Sequence, residues 1–148
     1  MSLARTLRVT ALSVVALGVA LGCQASFDAC DSLVATEVEA ALDAPMHRVG
    51  GGPDACQWTA GDGNRGVRVA LHRGDHLDDF ARAFGDRQPV SDVGDRAAWD
   101  ALGTTLVSEA KGWTIDLSVT GLPIIGSDAL RGRASVLMTR VIERLPEV

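Results

Sequence analysis

Basic residues, histidine, tyrosine and cysteine are all scarce in this chain of 148 residues. Its 14 Lys and Arg stand against 19 Asp and Glu, and the net charge of -5 repels nucleic-acid phosphates, so we expect no nucleic-acid partner. Three histidines leave little material for a histidine-based catalytic or metal site. Because tyrosine is absent, the aromatic residues with a polar atom are the three tryptophans, which we expect to pack in the core.

The chain also has no apolar run that would cross a bilayer comfortably. The uncharged apolar stretch of residues 9–22 has 14 residues, and as a helix it would cover about 21 Å of a hydrocarbon core of about 30 Å. Arg5 and Arg8 precede it, which is the pattern of a secretory signal peptide. We therefore expect residues 1–22 to direct export and to be removed.

The apolar stretch ends in the sequence Ala20-Leu21-Gly22-Cys23. Small residues before a cysteine resemble the lipobox of bacterial lipoproteins, although that pattern prefers Leu at the position of Ala20. The resemblance implies that Cys23 becomes the acylated first residue and anchors the chain to the membrane. The alternative is ordinary signal-peptidase cleavage after Ala25, which would release a freely secreted domain.

The odd number of cysteines favours lipidation. Exported proteins tend to pair their thiols, so an odd count needs an explanation for the one left over. Acylation would take Cys23 out of the count and leave Cys30 and Cys56 as an even pair. A disulfide between them would close a loop of about 26 residues and stabilise the fold by roughly 3 to 4 kcal/mol.

The mature chain is long enough for one domain only. Removal of residues 1–22 leaves 126 residues and a net charge of -7, because two arginines leave with the signal. We expect a short tether at residues 23–29 and a single domain at 30–148, acting as a monomer. Since the chain is acidic, acyl chains rather than a basic patch would supply its membrane affinity.

Alternation of apolar and polar residues predicts five strands. It is clearest where Trp113, Ile115, Leu117 and Val119 share one side of a strand and leave the other side polar. Two of the predicted strands form a hairpin within residues 55–73, and the others are 97–100, 104–110 and 113–120. The intervening stretches 50–53 and 85–96 are predicted to be loops.

Apolar residues at helical spacing predict three helices. The first follows a capping box formed by Thr36 and Glu39, the second runs from His76 to Phe84 after a cap at Asp75, and the third spans residues 128–145. The element order αββαβββα then predicts an α+β domain with an antiparallel five-stranded sheet and helices packed on one face.

Several segments carry a family resemblance: DACDSLVATEVEAAL, CQWT, PVSDVGDRAAW and LVSEAKGWTIDLSV. Together with the lipobox and a C-terminal helix, they resemble a family of small bacterial lipoproteins, abundant in actinobacteria, that carry a domain of unknown function. The resemblance covers nearly all of the mature chain. It implies an exported, lipid-anchored α+β domain with a disulfide between Cys30 and Cys56, and it supplies no catalytic motif.

Two groups of residues are candidates for catalytic or metal-binding chemistry. His72 and His76, followed by Asp78 and Asp79, are the best metal candidates, but the predicted helix begins between the histidines, so a shared face is not assured. Ser108 does not lie in the Gly-x-Ser-x-Gly turn of a hydrolase nucleophile. We therefore assign no catalytic residue, no metal ligand and no cofactor.

We expect a lipid-anchored extracytoplasmic lipoprotein of the cell envelope that acts as a non-catalytic binding, sensing or accessory module. Its partner would be an unknown envelope protein or a small ligand. This partner would meet the open face of the sheet, the apolar loop of residues 121–126, or both; alternatively, that loop plugs one end of the core.

Two other functions remain open. A small envelope hydrolase or metal-dependent enzyme would gather two or more of His47, His72, His76 and Asp95 in a concave site. A structural assembly lipoprotein would instead form a stable complex with one envelope protein.

Overall fold

The computed structural model describes residues 27–122 and 127–148. The predicted signal peptide and Cys23 lie outside these residues, as do residues 123–126 of the apolar loop. Within the described ranges, no helix is both long enough and apolar enough to cross a membrane.

Seven antiparallel strands form one sheet in the described residues. They are β1 Met46–Gly52, β2 Ala55–Ala60, β3 Gly66–Arg73, β4 Arg87–Val90, β5 Arg96–Asp100, β6 Thr105–Ala110 and β7 Trp113–Thr120. Their spatial order is β1-β2-β3-β7-β6-β5-β4. The sheet therefore consists of two meanders, β1 to β3 and β4 to β7, which join where β3 pairs with β7 along its whole length.

Three α-helices accompany the sheet in the same part of the chain: α1 Ala35–Leu42, α2 Leu77–Ala81 and α3 Ser127–Arg144. A short 3-10 helix, Ala29–Asp31, precedes them. The predicted class, α+β with an antiparallel sheet, is confirmed. The predicted strand number is wrong, because the α and β elements follow the order αβββαββββα and the sheet has seven strands instead of five.

The two strands that the prediction missed, β1 and β4, are the edges of the sheet. Residues 50–52 and 87–90 therefore belong to strands, although their sequence predicts loops. Met46 is the one buried residue of β1, and β4 has none, so neither strand shows the alternation of a half-buried strand. β4 also contains Pro89, a residue that sheets tolerate at an edge.

The predicted disulfide between Cys30 and Cys56 is present, with 4.9 Å between the two Cα atoms. It fastens the 3-10 helix to β2. Gly51 pairs with Cys56, and a Cβ atom at Gly51 would collide with Sγ of Cys30. This close approach explains why an edge strand carries glycine there.

One face of the sheet, which we call the covered face, packs against α1 and α3. The main hydrophobic core lies in this interface and includes Leu106 and Leu117 from the strands and Leu137 and Met138 from α3. All three tryptophans are buried in it, as predicted. The covered face therefore supplies most of the buried apolar surface that stabilises the domain.

α2 packs on the opposite face, which we call the open face, so the prediction that the helices share one face is wrong. Leu77 of α2 packs with Ala98 and Val107, which alternate along their strands with Trp99 and Leu106 of the main core. The apolar spacing of a helix shows which side of the helix is buried. It does not show which face of the sheet receives that side.

The start of α1 differs from the predicted capping box. The helix begins after Val34, whose backbone N–H donates to Oε2 of Glu37 at 3.1 Å. Thr36 therefore lies within the helix. Glu39, the other predicted member of the box, accepts a hydrogen bond from the Met46 N–H at 3.0 Å and so links α1 to β1.

α2 begins after His76 rather than after Asp75, and it is shorter than predicted. The backbone N–H of His76 donates to Oγ1 of Thr114 at 2.8 Å, and that of Leu77 donates to Oε1 of Glu109 at 3.0 Å. Side chains of the sheet therefore fix the start of this helix, which a local capping rule cannot anticipate.

Candidate binding groove

The two histidines proposed for a metal site have different neighbours. The ring of His72 packs against that of Phe80, with 4.9 Å between the centroids. Nε2 of His76 lies 3.0 Å from the carbonyl oxygen of Arg73, within hydrogen-bonding distance. Across residues 27–122 and 127–148, no three His, Cys, Asp or Glu side chains are placed to hold a metal ion.

The two aspartates beside those histidines bind arginines. Oδ1 of Asp78 lies 2.9 Å from Arg96 and 3.3 Å from Arg87, and Oδ1 of Asp79 lies 2.9 Å from Arg82. The hydrogen bond from Arg96 is the largest cause that lowers the pKa of Asp78. The exposed ion pairs of Asp78 join α2 to β4 and β5, whereas the pair of Asp79 stays within α2 and the residue after it, so both carboxylates are already bound to arginines.

Ser108 is buried and has a structural role. Its Oγ lies 3.2 Å from the carbonyl oxygens of Val93 and Arg96, to which its O–H donates. The loop before β5 is thereby held against β6. In that loop the N–H of Asp95 donates to the carbonyl of Glu109 at 2.7 Å, so the Gly94-Asp95 turn also packs on β6.

The remaining histidine, His47, is exposed on the edge strand β1. This strand is separated by β2 from β3, the strand that carries His72. The four residues named for the enzyme alternative, His47, His72, His76 and Asp95, thus lie on an edge strand, an inner strand, a helix cap and a loop.

A groove of about 500 Å³ lies on the open face, between α2 and the sheet. The helix packs over β5 and β6 through Leu77, and the ring of its Phe80 packs against His72 of β3. The helix wall comes from α2 and the residues that follow it: Asp79, Phe80, Ala83 and Phe84. The sheet wall comes from Asp100, Thr105 and Asp116. The lining combines apolar rings with carboxylates and contains no basic side chain of the described residues.

Asp116 is the half-buried carboxylate of this groove. Burial is the main cause that raises its pKa, while the charges of Arg68 and His72 and a hydrogen bond from Oγ of Ser118 at 3.3 Å act in the opposite direction. Among the residues that the structure describes, no Lys, Arg or His nitrogen lies within 4.0 Å of its carboxylate. A partly desolvated carboxylate therefore faces the groove without an ion partner.

Asp100 is the second carboxylate that the sheet contributes, and its residue is 7% exposed. Its Oδ1 accepts hydrogen bonds from the backbone N–H groups of Asp86 at 3.3 Å and Leu102 at 3.2 Å. Its Oδ2 accepts no hydrogen bond within the described part of the chain. Asp100 therefore shapes the turn after β5 and still has an acceptor to offer.

Thr105 lies on the strand between the two carboxylates and is connected to Asp116 through the hydroxyl group of Ser118. Its Oγ1 lies 3.1 Å from Oγ of Ser118, which in turn donates to Asp116. Thr105 is also the register partner of Asp100 on β5 and of Ser118 on β7. The sheet wall of the groove is thus a row of polar side chains across three adjacent strands.

A second groove, of about 410 Å³, lies between α1 and α3. Its lining is mainly apolar and includes Val136, which is 60% exposed. The arginine at one side, Arg133, donates to the carbonyl of Ala41 at 2.9 Å, and Glu37 at the other side binds Arg144. This groove therefore offers an apolar surface whose neighbouring charges are already engaged.

The sequence indicated part of the open-face groove. Asp116 belongs to the polar side of β7, the strand with the clearest alternation, and its place on the wetter face of the sheet is as expected. What the sequence did not indicate is its position beside Phe80 and Phe84. The reason is that the face of the sheet on which α2 packs is a tertiary property, which the apolar spacing of the helix does not show.

The fold defines the general class of this protein, a disulfide-linked α+β domain with an antiparallel sheet. Comparison of the chain with protein-family models, with curated proteins and with solved structures found no match.

Proposed function

We propose that this protein is a lipid-anchored extracytoplasmic lipoprotein of the cell envelope, working as a non-catalytic binding, sensing or accessory module. The observation that carries the proposal is the disulfide between Cys30 and Cys56, which follows the lipobox cysteine Cys23 by seven residues. Structural disulfides persist in oxidising compartments outside the cytoplasm. Acylation of Cys23 would leave Cys30 and Cys56 as the two remaining thiols, and these are the cysteines that the disulfide joins. The resemblance of its sequence segments to small actinobacterial-type lipoproteins supports the same proposal.

The lipid anchor would hold one end of the domain close to the bilayer. Phe27 already packs against the main core and follows Cys23 by four positions, with three residues between them. A fully extended chain of that length reaches about 14 Å. Ala29 donates its N–H to the carbonyl of Pro53 at 2.9 Å, so the end of the sheet nearest the membrane would be the one with the β1–β2 turn.

The same end of the sheet carries the turn between β6 and β7, because Gly74 at the end of β3 donates to the carbonyl of Gly112 at 2.9 Å. The opposite end carries the β2–β3 turn, the β5–β6 turn and Leu122. β3 and β7 each have eight residues, so the two ends are about 26 Å apart. In this orientation the far end of the groove, at Asp100 and Thr105, faces away from the bilayer and is accessible to a partner.

Support for binding comes from the groove itself. Its volume lies within the range of small-molecule sites, and it combines apolar rings with a small number of polar groups. The residues named for a hydrolase or a metal enzyme, His47, His72, His76 and Asp95, lie on an edge strand, an inner strand, a helix cap and a loop. We therefore assign the binding function to the groove on the open face.

Membrane fractionation tests the anchor. The wild-type protein, expressed in a bacterium that processes lipoproteins, should sediment with membranes and be released by detergent. The Cys23→Ser variant should retain its signal peptide, because the lipidation site is gone. A wild-type protein that is exported, processed and soluble without detergent would contradict the proposal, as would a Cys23→Ser variant that is processed like the wild type.

Energy transfer tests the orientation. A fluorophore attached at Asn64→Cys, in the β2–β3 turn, should lie about 25 Å farther from a lipid-phase acceptor dye than one attached at Lys111→Cys, in the β6–β7 turn. Equal transfer efficiencies, or a label at position 64 closer to the bilayer, would contradict the orientation while leaving lipidation intact.

A further inference from the structure

We propose that the groove between α2 and the sheet binds an organic cation, a protonated amine carried on an apolar or aromatic body. This inference rests on the proposed binding function and names the class of ligand for the same site.

The first argument is the charge of the lining. The sheet wall contributes Asp100 and Asp116, and the helix wall contributes Asp79, which is already paired with Arg82. No basic residue of the described chain lines the groove to neutralise the first two carboxylates. The local potential therefore attracts cations and repels anions.

The second argument is the state of Asp116. Burial disfavours its charged form, and the single hydrogen bond from Ser118 at 3.3 Å leaves most of its acceptor capacity free. A ligand ammonium group would supply charge-assisted hydrogen bonds that the described chain does not. Arg68 and His72 are the neighbouring groups whose charges already act on Asp116, although both lie beyond 4.0 Å and therefore compete only at a distance.

The third argument is the aromatic wall. Phe80 and Phe84 pack against the small apolar cluster under α2 and line the groove. The face of a phenyl ring attracts a cation and also accepts the apolar body of an amine. A groove with carboxylates on the sheet wall and phenyl rings on the helix wall favours an amphipathic amine over a strongly hydrated inorganic cation.

The spacing of the carboxylates also argues against a metal ion. Asp100 lies on β5 and Asp116 on β7, with β6 between them, so their strands are about 10 Å apart. A single calcium or magnesium ion needs its oxygen ligands within about 2.6 Å. An elongated organic ligand can lie between the two carboxylates, whereas one metal ion cannot bind both.

Three probes of similar shape and different charge test the ligand class: 2-phenylethylammonium, 2-phenylethanol and phenylacetate. Each is titrated into the full-length protein in phosphatidylcholine nanodiscs, with NMR shifts followed at Phe84 and Thr105. We expect saturable binding of the ammonium probe, at least about tenfold tighter than that of the alcohol, because a charge-assisted hydrogen bond is lost with the charge. Phenylacetate should not bind.

Two substitutions with opposite expected effects locate the binding. Asp116→Asn should weaken binding of the ammonium probe about tenfold, since it removes the charged acceptor. Arg68→Gln should strengthen binding, because it removes the competing cation. Glu147→Gln, an exposed site near the C-terminus, removes the same amount of charge and should leave the affinity unchanged.

The outcomes separate the ligand class from the binding function. If phenylacetate or 2-phenylethanol binds at Phe84 and Thr105 as tightly as the ammonium probe, the groove is a binding site but the cation assignment is wrong. If Asp116→Asn and Glu147→Gln have equal effects, the assignment of the cation to Asp116 is overturned. If none of the probes shifts Phe84 or Thr105 saturably, the groove fails as a ligand site, although membrane fractionation can still support the anchor.

Discussion

The two faces of the sheet use alternate residues of the same strands in different ways. On the covered face, Val69, Leu106 and Leu117 pack into the main core beneath α1 and α3. On the open face, the buried apolar cluster is small, and side chains such as Gln57 and Arg68 remain exposed. The stability of the fold therefore depends mainly on the covered face, so the open face can carry a ligand site at little cost in stability.

The largest expected effect comes from breaking the covered face. Leu117→Ala should lower the free energy of unfolding by about 2 to 5 kcal/mol, because Leu117 is fully buried and its truncation leaves a cavity. Gln57→Ala, on the exposed open side of β2, should change it by no more than about 0.5 kcal/mol. Urea unfolding of both variants measures the difference. Equal losses would show that the two faces contribute alike.

Removal of the disulfide should have the next largest effect. The Cys30→Ala, Cys56→Ala double variant should lose about 3 kcal/mol of stability, because the unfolded chain is no longer constrained by a loop of 26 residues. Cys56 belongs to the main core, so the loss should appear without any change in ammonium-probe binding at the open face. An unchanged midpoint of urea unfolding would contradict this expectation.

The ion pair that joins α1 to α3 should have a smaller and pH-dependent effect. Both carboxylate oxygens of Glu37 lie 2.7 Å from Arg144, and this hydrogen bonding is the main cause that lowers the pKa of Glu37. Glu37→Gln should cost about 1 kcal/mol at neutral pH. Glu143→Gln, which breaks the exposed pair with Arg140, should cost less.

The sign of this pH dependence follows from the lowered pKa. A carboxyl group whose pKa is lower in the folded state stabilises the fold above its unfolded pKa, and the contribution is lost as the pH falls through the folded pKa. The difference between wild type and Glu37→Gln should therefore disappear in acid. A difference that stays constant from neutral pH down to strongly acidic pH would show that the ion pair is not its source.

Asp116→Asn should have the smallest effect on stability, and in the opposite direction. Burial raises the pKa of Asp116, so the folded state binds a proton more readily than the unfolded chain, and the wild type loses stability as the pH rises through this window. The variant should be more stable at neutral pH by about 0.5 kcal/mol, with no gain below both pKa values. A loss of stability at neutral pH would show that the carboxylate supports the fold rather than the groove.

The covered face could be predicted from the sequence, because its residues obey strict periodicities. Trp113, Ile115 and Leu117 alternate along β7, and the stripe on α3 that includes Leu137 and Val141 follows helical spacing. These patterns reflect a single buried interface. The same patterns predict the five central strands, the C-terminal helix and the burial of the tryptophans.

The edges and the open face could be predicted only in part. β1 and β4 pair on one side only and expose most of their side chains. The glycines of β1 and the proline of β4 therefore predict loops from the sequence. Gly51 faces a disulfide, one half of which, Cys30, is distant from it in sequence. The groove combines residues of α2, β5, β6 and β7, and no local pattern tells which sheet face a five-residue helix will cover.

Intact-mass measurement of the membrane-extracted protein, without reduction, tests the central claim most directly. The account predicts one chain that begins at acylated Cys23 and is two hydrogens lighter than its reduced form, because Cys30 and Cys56 are joined. A chain that begins at Ser26 without lipid, or a reduced chain that retains residues 1–22, would contradict it.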